Sequence, residues 1–176
     1  MTSYIERFIP ICSMQIKSTQ YKLNQSRTIP LQLILINEGS YTKTIQYLNN
    51  TKTRIKTLQK YCKKLNKVNR KIRYVWLETS IYAKLTFARS LWLLVQNKRL
   101  FKSINKTSPI GLSFIENKID IHKNIHEIYY GYCQNFEKEL KFKGPVWGRK
   151  YTLYYKNHSS VTIQEIFSPN ILRFFH

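Results

Sequence analysis

The chain has 176 residues, the size of one domain with at most a flexible arm. Hydrophobic residues make up 43% and aromatics 14%, enough to bury a core, which excludes wholesale disorder. No apolar run reaches the roughly 18 residues of a spanning helix, and the net charge of +21, from 30 Lys and Arg against 9 Asp and Glu, points first toward a polyanion.

Residues 1–30 carry little periodicity and read as a loosely packed leader before a domain at 31–176. Met1–Ser13 lacks the basic start, long apolar middle and small-residue cleavage site expected of a secretory signal. Residues 31–36 (LQLILI) form a short apolar run. Gly39 then fits a turn, and Ser40 fits the N-cap of a helix over 41–49. Two helices joined tightly at Gly39 are expected. Ten of the residues from 52 to 73 are Lys or Arg. The segment reads as a solvated strand plus loop, with a polyanion-binding arm over Lys52–Arg73 as the rival reading.

Residues 72–95 are β-branched and aromatic, split near Thr79–Ser80, and predict a β-hairpin. A basic helix-like piece follows at 96–106. Ser108-Pro109 then predicts a short helix through Ile115, with Ser108 as its cap and Pro109 at its first position. Residues 118–134 suggest one or two strands, and Gly144-Pro145 a turn. Arg149–Lys156 and Ser160–Phe167 form a second hairpin, ended by Ser168-Pro169. Hairpins with helices between them predict an α+β fold on one antiparallel sheet.

The composition tempers the argument from charge. There are 21 Lys, 21 Ile, 13 Asn and 13 Tyr against 2 Ala and 5 Gly. The abundant residues have A/T-rich codons, so drift in an A/T-rich genome accounts for the cations without a nucleic-acid partner. Cys12, Cys62 and Cys133 are far apart, with no CxxC and no zinc spacing. His122 and His126 alone do not make a metal site. No phosphate loop, nucleophile elbow or HExxH motif occurs.

Two charged residues sit where alternation points inward. Arg73 shares a strand face with Val75 and Leu77, and Glu165 with Ile163 and Phe167. Burying either one alone is costly. Each therefore needs a partner: the other of the two across the sheet, water at an edge, or a charged ligand. Alternation by itself favours the first two. Trp147-Gly148-Arg149 reads as a packing aromatic beside a surface arginine.

Four blocks resemble the chorismate lyase (chorismate–pyruvate lyase) superfamily, and within it the conserved reading frame of algal plastid genomes. They are Glu38-Gly39-Ser40-Tyr41-Thr42; Arg73-Tyr74-Val75-Trp76-Leu77 with Phe87-Ala88-Arg89-Ser90; Ser108-Pro109-Ile110-Gly111; and Trp147-Gly148-Arg149 with Ile163-Gln164-Glu165-Ile166-Phe167-Ser168-Pro169. They follow the family's order over residues 31–172.

The resemblance implies a single antiparallel sheet with helices on one side enclosing a ligand cavity. It implies that Arg73 clamps a substrate carboxylate and that Glu165 meets the ring hydroxyl, these two being the catalytic pair. Tyr41, Ile110, Gly111 and Arg149 complete the substrate-binding set, Arg149 toward a second carboxylate. It further implies a small-molecule substrate of the chorismate type, no metal or organic cofactor, a monomer, and a plastid location. A non-catalytic aromatic-carboxylate binder on the same fold is the alternative, and a basic RNA- or DNA-binding protein the other.

Overall fold

The computed structural model describes residues 9–15, 29–50, 52–65, 68–79, 83–95, 108–155 and 159–175. Its elements in chain order are β1 (Ile9–Gln15), α1 (Ile29–Ile36), α2 (Tyr41–Asn49), β2 (Arg54–Leu65), β3 (Val68–Glu78), β4 (Lys84–Val95), α3 (Ile110–Glu116), β5 (His122–Tyr132), α4 (Gln134–Leu140), β6 (Val146–Tyr155), β7 (Ser159–Phe167) and a 3-10 helix (Pro169–Phe175). The strands form one seven-stranded sheet in the order β1-β5-β6-β7-β4-β3-β2, and every neighbouring pair is antiparallel.

The α+β architecture is the expected one, and so are both hairpins. Ser40 caps α2, its hydroxyl accepting from the Lys43 amide at 3.4 Å. Several local expectations change. The basic segment is not a strand plus loop: β2 runs to Leu65, with one register shift between Thr57 and Gln59, and pairs with β3 back to Val68. It is an edge strand, where lysines discourage a further strand from adding. Residues 9–15 form the opposite edge strand, β1, although the sequence signals none. The N-cap of α3 is Pro109 rather than Ser108, with no side-chain cap bond. The strand expected as far as 134 ends at Tyr132 and gives way to α4, and a 3-10 helix follows Ser168-Pro169. The helix-like piece at 96–106 lies outside the described residues.

Strand alternation separates two cores. On one face Val75, Leu77 and Phe167 pack against Leu31, Ile34 and Leu35 of α1, Tyr41 and Ile45 of α2, and Ile171. Further along that face Trp92, Tyr151, Leu153, Val161 and Ile163 gather around Phe114 of α3. On the other face Tyr74, Trp76, Phe87, Tyr129 and Ile166 pack against Phe136 and Leu140 of α4. The helices α1, α2 and α3 thus cover the face that carries Arg73 and Glu165, and α4 covers part of the reverse.

Candidate active site

The register sets side chains in rows across the covered face. One row runs Val75, Ala88, Glu165, Arg149, and the next runs Arg73, Ser90, Ile163, Tyr151. Above them the loop from Asn37 to Ser40 and the start of α3 complete a hollow. Gly111 permits the close approach there: a β-carbon on it would lie 3.0 Å from the Ser40 hydroxyl.

The hollow has a volume of about 230 Å³. Its floor is Arg73, Val75, Leu77, Ala88, Ser90, Tyr151, Leu153, Ile163 and Glu165. Its roof is Glu38 to Thr42 with Pro109, Ile110, Gly111 and Ile115, and Ile55, Ile121 and Lys123 close the sides. An apolar hollow of about 150 Å³ takes up benzene, so this one has room for a single ring with short substituents.

Arg73 is 4% exposed and its main partner is weak: Nη1 reaches the Ser108 carbonyl at 3.5 Å. Its Nε and Nη2 are buried with no hydrogen-bond partner. Burial without a counter-charge lowers the guanidinium pKa from its usual value. A fork of donors without acceptors, facing a hollow, suits a carboxylate.

Glu165 is held from two sides. Arg149 Nε donates to Oε2 at 2.8 Å and the Tyr151 hydroxyl donates to Oε1 at 3.0 Å. Its backbone carbonyl accepts from the Tyr129 hydroxyl at 3.0 Å. Both carboxylate oxygens accept, and each retains a further lone pair that a ligand hydroxyl could use. The partner of Glu165 is therefore Arg149, and no ion pair joins Glu165 to Arg73.

Arg149 does not line the hollow. It is 0% exposed, and Nη1 donates to the carbonyls of Ile34 (2.7 Å), Leu35 (3.3 Å) and Asn37 (3.0 Å). Those carbonyls lie at the C-terminal end of α1, which lacks intrahelical donors and favours a cation. Burial alone would lower the Arg149 pKa, but the Glu165 carboxylate reverses this and raises it. The surface arginine expected beside Trp147 is thus a buried tie between α1 and Glu165.

Tyr41 lines the hollow, and its hydroxyl is bonded to that of Thr86. Burial raises its pKa well above the ordinary tyrosine value, so the phenol stays neutral. Ile110 and Gly111 also line the hollow, from the first turn of α3. Of the six residues singled out in the sequence, five meet here and Arg149 stands behind them.

Two lining residues went unnoticed in the sequence. Tyr151 holds Glu165. Lys123 Nζ donates to the carbonyls of Asn37 (2.6 Å) and Gly39 (3.5 Å) and lies 4.2 Å from the centre of the Tyr151 ring. Burial, with Arg149 nearby, lowers its pKa to about 7 against the opposing pull of Glu165 and Glu38. The signal that flagged Arg73 was also present here: Ile121, Lys123 and Ile125 alternate on one face. His126 bonds the Thr152 hydroxyl at 2.8 Å, and among the described residues no cluster of His, Cys, Asp or Glu could hold a metal ion.

The protein ycf21 of Antithamnion sp. is 37% identical over 170 residues, spanning 97% of this chain and 95% of that one. The ycf21 protein of Porphyra purpurea is 35% identical over 163 residues, spanning 91% and 92%. The effector domain of PhnF from Mycobacterium smegmatis shares the fold at a TM-score of 0.58 and 8% identity, over 77% of this chain and 92% of that domain. The family described as chorismate pyruvate-lyase Rv2949c-like matches residues 35–175, and the chain belongs to that family.

Proposed function

We propose that the protein converts chorismate to 4-hydroxybenzoate and pyruvate. The observation that carries this reading is the unpaired Arg73 guanidinium, buried in a ring-sized hollow that Glu165 also enters. Removing a cation from water without a counter-charge is costly. A carboxylate ligand supplies the missing partner through two parallel hydrogen bonds.

In this reading Arg73 holds the ring carboxylate. Glu165 accepts a hydrogen bond from the 4-hydroxyl, its position fixed by Arg149 and Tyr151. The bond from ring C3 to the ether oxygen breaks, and C4 loses its hydrogen as a proton. The released enolpyruvate gains a proton at its methylene carbon and becomes pyruvate. The two proton movements cancel, and aromatisation of the ring supplies the driving force. The protein's share is orientation and charge balance within apolar walls, and no cofactor enters.

Incubation of the purified protein with chorismate should release equal amounts of 4-hydroxybenzoate and pyruvate, and Arg73→Ala should abolish the release. Folded protein that makes neither product would overturn the proposal. A second reading, aromatic-carboxylate binding without turnover, draws support from the shared fold of an effector domain. Tight 4-hydroxybenzoate binding without any lyase rate would favour it. The A/T-leaning composition and the algal relatives support a plastid location.

A further inference from the structure

We infer that Lys123 is the specificity-determining cation of this site: it receives a second anionic group, so that the hollow selects single-ring dianions over monoanions. The inference rests on the proposed function and assigns that site's second charge.

Arg73 stands on β3 and Lys123 on β5, with β4, β7 and β6 between them. Four strand spacings of about 4.8 Å separate the two backbones by about 19 Å along the sheet. Both side chains line the same hollow, so they approach its contents from opposite sides. A ligand gripped by Arg73 through one carboxylate therefore extends toward Lys123. The ammonium has three donors. Two are directed at the carbonyls of Asn37 and Gly39, the second through a long 3.5 Å bond, and the ammonium also rests 4.2 Å from the centre of the uncharged Tyr151 ring, a weaker partner than a carboxylate. Arg149, the other cation near Glu165, does not line the hollow: its Nε is held by Glu165 and its Nη1 by the carbonyls of Ile34 and Asn37, and its Nη2, though without a partner, is buried behind the wall.

The charged groups around Lys123 come from three elements: Arg149 on β6, Glu165 on β7 and Glu38 in the α1–α2 loop. In the empty hollow they and burial leave the ammonium with a pKa of about 7, only partly charged at neutral pH. A ligand carboxylate beside it completes the protonation. Dianion binding accordingly takes up part of a proton near pH 7.5, and monoanion binding does not. The discrimination also has a use. A dianionic substrate engages both cations, whereas a monoanionic aromatic product keeps only Arg73 and leaves more readily.

The test compares two unreactive ligands of matched size, 3-(carboxymethoxy)-4-hydroxybenzoate and its 3-(2-hydroxyethoxy) counterpart. Their affinities for the full chain are measured by calorimetry in buffers of different ionisation enthalpy. We expect Lys123→Met to weaken the dicarboxylate about 10- to 100-fold, the worth of one charge-assisted hydrogen bond. The monocarboxylate should change less than about 2-fold, and the proton uptake should vanish. Lys123→Arg should restore most of the dianion affinity, and Lys123→Gln replaces the Met variant if that one fails to fold. Equal losses for both ligands, or none, would overturn the inference while monocarboxylate binding that depends on Arg73 leaves the proposed function standing. Wild-type protein that binds neither ligand would overturn both.

Discussion

Arg149 and Glu165 face each other directly across β6 and β7, and their side chains close a buried ion pair of 2.8 Å. The same guanidinium caps the end of α1 through three carbonyls. One side chain thus fixes both the roof of the hollow and the acid on its floor. Removing a single partner leaves the other buried without its counter-charge. Arg149→Met should cost about 3–5 kcal/mol of stability, as for other broken buried pairs. The double variant Arg149→Met with Glu165→Gln should lose less than the sum of the two single changes. Urea unfolding of all four proteins measures the coupling, and strict additivity would show that the pair is not a unit.

Arg73 should behave in the opposite sense. Its Nε and Nη2 are buried without partners, so in the empty protein the group is a burden. Arg73→Met removes the charge and keeps much of the apolar stem. We expect the variant to be more stable than wild type, by about 1–2 kcal/mol, and to lose 4-hydroxybenzoate binding. Wild-type protein should regain the difference when ligand is present at about 100 times its Kd, which adds about 2.7 kcal/mol. Thermal melts with and without ligand separate the two contributions. A destabilised Arg73→Met protein would mean that the Ser108 contact outweighs the desolvation cost.

How much of this was legible in the sequence depended on whether the signal was local. Period-two alternation placed Arg73 and Glu165 on inward faces, and Gly39-Ser40 marked the junction of α1 and α2. The Arg149–Glu165 pair was not legible, because it depends on which residues the β6–β7 register sets opposite each other. Lys123 carried the right alternation, but an irregularity between Ile125 and Glu127 breaks the pattern further along the strand. The seven-residue α4 has Cys133 as its N-cap, which makes no side-chain cap bond, so it shows no start signal. At the edge, β1 contains Pro10 and shifts register between Pro10 and Cys12, both features that obscure a strand. The charge of β2 hid a strand for a related reason: at an edge, lysines serve the fold without forming an apolar face. Family resemblance, and not alternation, is what led to the proposed roles of Arg73 and Glu165 toward a ligand.

Gly148 is fixed by its neighbours rather than by a turn. A β-carbon there would lie 2.2 Å from the ring of Tyr129 and 2.6 Å from the Glu165 carbonyl oxygen. Tyr129 sits directly opposite on β5 and donates its hydroxyl to that same carbonyl. Gly148→Ala should therefore destabilise the protein by about 1–3 kcal/mol through overpacking, and should disturb Glu165 by displacing Tyr129. Combining it with Tyr129→Ala should relieve only part of the loss, because the clash with backbone remains. Urea midpoints for the single and double variants test this. Full rescue would mean that the ring was the whole obstacle.

The Lys123 pKa of about 7 lies well below the ordinary value for lysine, so folding and pH are coupled. Between about pH 7 and about pH 10 the unfolded chain holds a proton on this side chain that the folded, ligand-free chain has given up. The unfolded state binds more protons there, so this group makes stability rise with pH across that window. Below pH 7 both states are protonated and the slope vanishes, and the burial of the charge then weighs on the fold in full. Lys123→Met removes the titration. The difference in urea midpoint between wild type and variant should shift in favour of wild type from pH 6.5 to pH 9.5, by an amount that subtracts every other group. A saturating aromatic dicarboxylate should flatten that shift by holding Lys123 protonated. A difference that stays level with pH in the ligand-free proteins would show that Lys123 keeps an ordinary lysine pKa in the folded chain.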